Sequence, residues 1–246
     1  MPCNKSLAYA LAPLTLLLAS CTHVPAPVAA PPGPSPEAPL AGKPSGAVDY
    51  RIDAAHSSLR VLVYRGGPLA SLGHNHVIED QAISGWIRAG KSPRTSSFYL
   101  QFAVKDFVID QPEARTEEGA DFSEAVEASA RAGTQHNMLG AALLNAEHYP
   151  TIQIESVSVQ GGEMETGRAS TATCKVTIAG HANPVTTTFT FDRQPESLHV
   201  KADFWLPQTS LGLTPFSALL GGLQVANDIH LKLDVVATSG QSVGLD

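Results

Sequence analysis

The chain has little charge, few aromatic rings and little cysteine: charged residues make up 16% of its 246 positions, aromatic residues 6%, and cysteine occurs three times. It has no Lys/Arg cluster, and its formal net charge is -7, which argues against nucleic acid or an anionic membrane surface as a partner. Cys3 and Cys21 lie in and at the end of an N-terminal leader, so Cys174 is left alone and the mature chain is expected to hold no internal disulfide. Cys174 sits in Thr173-Cys174-Lys175-Val176-Thr177-Ile178, where apolar and polar residues alternate, and this reads as a buried, inert thiol. Neither HExxH nor CxxC occurs. Ser57 beside His56 and Ser71 near His74 have no acid partner that spacing specifies, so the expectation is a binding protein, not an enzyme.

The N-terminal apolar stretch is also too short to span a bilayer. A spanning helix needs about 20 apolar residues. Leu7 to Leu18 supplies roughly a dozen, interrupted by Pro13, which a helix interior tolerates poorly. Lys5 precedes the stretch and Leu18-Ala19-Ser20-Cys21 closes it, which is the layout of a cleaved secretory signal ending in the lipid-attachment box of a bacterial lipoprotein. Residues 1–20 therefore read as a lipoprotein signal peptide, and resemblance to that class implies that Cys21 is the lipidated first residue of the mature chain, anchored by several acyl chains. Resemblance to that class, with Thr22 where an aspartate favours inner-membrane retention, implies the periplasmic side of the outer membrane. Residues 21–47 are a Pro/Ala-rich linker with Pro25, Pro27, Pro31, Pro32, Pro34, Pro36, Pro39 and Pro44, a composition that forms an extended tether and no core.

What remains, residues 48–240, fits one all-β domain. Apolar residues recur with period two, the mark of half-buried strands. Leu59, Val61 and Val63 share a face, as do Phe98, Leu100 and Phe102, and Ile152 and Ile154 begin another strand. Val185, Thr187, Phe189 and Phe191 form a further set, followed by Leu198, Val200, Ala202, Phe204 and Leu206, and then by Ile229, Leu231, Leu233 and Val235. The middle breaks this rhythm. Glu113–Gly133 is acidic and Ala-rich, and Thr134–Asn145 places Met138, Leu139, Ala142 and Leu143 at helical spacing, so two short helices are predicted. Asp121 with Glu124 would cap the first, Gly133 would end it, and Tyr149-Pro150 would return the chain to strand. The acidic run through Glu127 reads as a solvated helix face. About eight antiparallel strands with one apolar face each must pack as a sandwich or close into a barrel, and the pattern alone does not choose.

Three stretches carry a resemblance: Tyr50-Arg51-Ile52-Asp53-Ala54-Ala55-His56-Ser57; His136-Asn137-Met138-Leu139-Gly140 through His148-Tyr149-Pro150-Thr151-Ile152-Gln153-Ile154-Glu155-Ser156; and Cys174 through Gly180-His181-Ala182-Asn183-Pro184-Val185. Together they resemble the YceI-like family of lipocalin-like periplasmic barrels associated with binding polyisoprenoid lipids. The resemblance implies an eight-stranded antiparallel lipocalin-like barrel with two short helices inserted between strands, and it admits a homodimer. It further implies an elongated interior cavity without catalytic residues that takes an isoprenoid or quinone-like lipid, a hydrophobic small molecule. Leu59, Val61, Val63, Phe98, Leu100, Phe102, Ile152, Ile154, Phe189, Phe191 and Phe204 would then contact that lipid.

One segment, Gly66 through Val77, departs from the simpler family pattern and holds His74 and His76. In an extended segment the two imidazoles project to one side, about 7 Å apart at the backbone. With His136 as a third ligand they would hold a divalent metal such as Zn, Cu, Ni or Fe, giving a metal-binding module as the second functional reading. His56, His181, Glu79 and Asp80 are further candidate ligands, and the alternatives for the pair are a structural His cluster or a role at a ligand headgroup.

Overall fold

The computed structural model describes residues 43–161 and 167–239, so the signal peptide, Cys21 and most of the linker lie outside the described residues. Strands β1 (Val48–Ile52) and β2 (Ser58–Val63) are two halves of one bent strand, joined by a 3-10 turn at Ala54–His56. Arg65–Gly66 is a short β3. β4 (His76–Asp80) and β5 (Ser84–Ala89) form the next bent pair, and β6 (Ser97–Ala103) and β7 (Val108–Ile109) a third. Helices α1 (Pro112–Glu117) and α2 (Ala128–Leu139) follow. Four long strands, β8 (Thr151–Gln160), β9 (Ser170–Ile178), β10 (His181–Arg193) and β11 (Ser197–Pro207), lead through short β12 (Ser217–Ala218) and β13 (Leu223–Val225) to β14 (Asp228–Thr238).

Each half of a bent strand pairs with the matching half of its neighbour. β1 lies against β5 with Val48 opposite Ala89, and β2 against β4 with Val63 opposite His76. β5 and β4 then pair with β6 and β7. The order continues β6-β8-β9-β10-β11-β14, and β14 closes on both halves of the first strand, with Ile52 opposite Ala237 and Leu231 opposite Val61. The result is a closed, antiparallel, eight-stranded barrel, which settles the choice between barrel and sandwich. Closure removes exposed sheet edges. Two local devices set its curvature. At the β1/β2 corner Ser57 Oγ lies 2.7 Å from the Asp53 carbonyl and accepts the Val236 N–H at 3.0 Å, tying the bend to β14. In β5, Gly85 has φ +142, and a Cβ there would stand 2.1 Å from the Tyr99 carbonyl oxygen, so only glycine admits so close an approach of β6.

The helices differ from the sequence expectation. Gly133 ends nothing: it lies inside α2, exposed and away from other atoms, where nothing demands a left-handed residue. The first helix stops instead at Gly119 (φ +84), and Asp121 lies in a 3-10 turn, Ala120–Phe122, with no capping bond. α2 ends at Leu139, not Asn145, because Leu144 N–H and Ala146 N–H fold back onto the Met138 and Leu139 carbonyls. Ala142 is consequently exposed, whereas Met138 and Leu144 are buried.

The acidic run is not wholly solvated either. Arg60, on the outside of β2, reaches Glu79 (2.8 Å), Glu117 (2.6 Å) and Glu118 (3.2 Å), and Lys232 of β14 pairs with Glu118, whose side chain is nearly buried. These pairs dock α1 on the barrel wall. Beneath it Leu62, Val77, Ala114 and Phe122 form a small apolar layer.

Candidate ligand-binding cavity

Inside the barrel is a cavity of about 590 Å³, within the range usual for small-molecule sites. Its wall is built by the period-two alternation. Leu59, Val61 and Val63 enter it from β2, Phe98, Leu100 and Phe102 from β6, and Ile152 and Ile154 from β8. Phe189 and Phe191 enter it from β10 and Phe204 from β11, so the structure brings together on one lining all eleven residues that sequence alternation placed on inward faces. It adds residues that reading did not single out, among them Val159, Leu211, Leu213, Phe216 and Leu223. Val159 escaped because a bulge between Ser156 and Ser158 reverses the phase of β8, leaving Val157 exposed and turning Val159 inward. Leu211 through Leu223 lie mostly in turns and very short strands, where no periodicity announces a facing side.

One end of the barrel is plugged by Tyr50, Ala89, Phe191, Leu198 and Ala237. At the other, Leu72 and Phe216 line the cavity and are also 65% and 37% exposed, so the cavity opens there. The mouth is flanked by the small β12-β13-β3 sheet and by α2, which contributes Ala130, Thr134, Asn137 and Met138. Most of the polar lining is gathered here: Arg65, His74, His76, Thr134, Asn137, Gln208 and Gln224. Cys174 faces the interior from β9, and burial pushes its thiol up to about 11, in keeping with the inert role expected of it.

The proposed metal triad does not assemble. His74 and His76 are neighbours, with ring centroids 6.3 Å apart. His136, however, is exposed on α2, off the lining that Thr134 and Asn137 share, because one helical position turns a side chain through about 100°. Among the described residues no group of three or more His, Cys, Asp or Glu is placed to hold a metal ion. The other candidates are engaged elsewhere or exposed: His56 bonds Asp53 at 2.8 Å, Glu79 holds Arg60, and His181 is exposed.

His76 has a different environment. Its Nδ1 lies 2.7 Å from Asp110 Oδ2, and Asp110 is fully buried. The same carboxylate accepts the Val77 N–H at 2.9 Å and Arg115 Nη1 at 2.6 Å. Burial alone would raise the Asp110 pKa, but the hydrogen bonds from His76, Val77 and Arg115 outweigh it and hold the carboxyl below its usual value. Arg115 also donates to the Asn75 carbonyl, and the Asn75 side chain donates to Asp121 O and accepts the Arg65 N–H, so the backbone on either side of His76 is pinned. Sequence reading found His76 but missed Asp110 and Arg115, which are separated from it by 34 and 39 positions.

Ser57 Oγ is used at the barrel corner, where it bonds the Asp53 carbonyl and the Val236 N–H, and His56 turns to the Asp53 carboxylate. A phosphate-loop spacing also exists, Gly85-x-x-x-x-Gly90-Lys91-Ser92, but residues 85–89 are strand β5 and only the 3-10 turn Pro93–Thr95 follows. No helix N-terminus cradles an anion there. The sequence also contains a nucleophile-elbow spacing, Gly240-x-Ser242-x-Gly244, which lies outside the described residues.

The YceI-like domain pattern matches residues 50–237. The chain belongs to the YceI-like family. No match is found among curated proteins. Solved structures that share the fold include two that cover most of the chain. BcnA of Burkholderia cenocepacia is 15% identical, with 76% of this chain and 99% of that one covered at a TM-score of 0.51. A polyisoprenoid binding domain from Saccharophagus degradans implicated in plant cell wall breakdown is 9% identical, with 78% and 99% covered, also at a TM-score of 0.51.

Proposed function

We propose that this YceI-like chain binds, without catalysing a reaction, a long-chain isoprenoid or similar amphiphile in the barrel interior, and so carries, stores or senses it. The observation that supports this reading best is the cavity itself: about 590 Å³, walled by Leu, Ile, Val and Phe from every long strand and open at one end. Each 100 Å² of apolar tail taken from water into such a space is worth about 2.5 kcal/mol, so affinity needs few polar contacts. The solved polyisoprenoid binding domain with the same fold agrees with it. In this account Cys21 carries the lipid anchor, residues 22–47 tether the barrel to the periplasmic side of the outer membrane, and the amphiphile enters through the mouth.

The test is titration of the delipidated protein with a polyene fatty acid whose fluorescence rises in apolar surroundings. Saturable uptake of about one probe per chain, displaced by a long-chain isoprenoid, is the expected result. Absence of uptake, or uptake without saturation, contradicts the reading.

A further inference from the structure

We propose that His76 is the headgroup site of the cavity and that it selects amphiphiles ending in a hydroxyl group, such as long-chain isoprenoid alcohols. This rests on the reading of the cavity as an amphiphile site and specifies which end of the ligand is recognised, and by what.

The ionised Asp110 carboxylate can only accept, so the His76 nitrogen 2.7 Å away, Nδ1, must carry the hydrogen. In the neutral ring this leaves Nε2 as a lone-pair acceptor. His76 belongs to the cavity lining and its side chain is 13% exposed; with Nδ1 turned to the buried Asp110, Nε2 lies on the edge of the ring that faces the cavity mouth. Among the described residues its hydrogen-bonding neighbour is Thr134 Oγ1 at 3.4 Å. That hydroxyl already donates to the Ala130 carbonyl at 3.0 Å, which uses its single hydrogen and leaves none for Nε2. With the ring neutral, the mouth of an otherwise apolar cavity presents an acceptor beside a hydroxyl oxygen that can still accept.

An acceptor of this kind, set at the end of an apolar cavity, gains most from a ligand that supplies an O–H. An alcohol donates to Nε2 while its tail runs inward along the hydrocarbon wall toward the plugged end. A carbonyl oxygen has no hydrogen to give, and a bare hydrocarbon leaves Nε2 unpaired. The surrounding structure fixes the ring for this task. Arg115 neutralises Asp110 from behind, the Val77 N–H binds the same carboxylate, and pairing with Val63 sets the strand register that turns His76 inward. His74, by contrast, lies 3.8 Å from the exposed Glu124 and belongs to the outer rim.

The experiment compares geranylgeraniol, the corresponding aldehyde and a hydrocarbon of equal length as competitors for a fluorescent probe on the purified chain. The wild type is expected to bind the alcohol about tenfold more tightly than either other compound. His76→Phe, which keeps the ring's bulk and removes its acceptor, is expected to bind all three alike. Nitrogen NMR of the wild type supplies a second readout that needs no variant: the Nε2 resonance shifts with the alcohol and stays with the hydrocarbon. Equal affinities in the wild type, preference for the aldehyde, or an unmoved Nε2 signal overturns the headgroup site while leaving the cavity reading intact. Failure of all three compounds to bind overturns the cavity reading itself.

Discussion

Asp110 lies 2.7 Å from His76 on one side and 2.6 Å from Arg115 on the other, with its carboxylate fully buried. It joins the end of β7 to β4 and α1, so one side chain orients a cavity histidine and fastens a helix to the barrel. Buried pairs of this kind add little net stability over apolar packing, but removing one partner strands the other charge.

Asp110→Asn is therefore expected to cost about 3–5 kcal/mol, measured by urea denaturation at neutral pH. The sign of the pH dependence follows from the lowered carboxyl pKa. The stability contributed by Asp110 is fully present above the unfolded carboxylate pKa and is lost as pH falls through the folded value, so wild type and variant converge in acid. A difference that stays constant down to strongly acidic pH contradicts this assignment.

Asp80 behaves in the opposite way. Burial pushes its pKa up, the nearby Asp106 charge adds to this and the Ala82 N–H opposes it, while Oδ2 has no hydrogen-bonding partner among the described residues. The folded state then favours the protonated acid. Its contribution is present below the unfolded value of about 3.9 and is lost as pH rises through the raised folded one. Asp80→Asn should flatten the decline in stability between about pH 4 and neutrality. An unchanged slope in denaturation midpoints across that range would rule this out.

Cys174, buried on the cavity wall with its thiol pushed up to about 11, should resist alkylation in the native protein at neutral pH and react once the chain is unfolded. Peptide mapping after iodoacetamide treatment, with and without denaturant, reads this directly. Rapid native labelling would mean that the cavity admits solvent to β9.

Leu231 and Leu233 line the cavity and are only partly buried by their neighbours, whereas Phe102 is 1% exposed. Leu233→Trp is expected to fill cavity space and abolish amphiphile uptake with little change in melting temperature. Phe102→Ala instead should cost about 3–5 kcal/mol. Paired melting and probe-binding curves separate the two effects, and a Leu233→Trp variant that still takes up probe normally argues against the interior as the site.

Much of the barrel was legible because alternation is a direct trace of inside and outside. Phe98, Leu100 and Phe102 on β6 and Leu231, Leu233 and Val235 on β14 needed only a period of two to be placed. Closure itself was not legible, since pairing of Ile52 with Ala237 joins residues 185 positions apart in chain order. The β8 bulge hid Val159, and the exposed Gly133 misled because glycine ends a helix only where the backbone must turn left-handed. At the mouth, the spacing of His74 and His76 suggested a metal. The partners that define His76, Asp110 and Arg115, come from different elements and leave no local pattern.

The central claim is that the barrel interior holds an amphiphile, and native mass spectrometry of residues 43–246, purified without detergent, tests it most directly. The account predicts a bound mass of several hundred daltons that is lost on denaturation and absent from Leu233→Trp. A bare polypeptide that also fails to acquire mass when offered long-chain isoprenoids would contradict it.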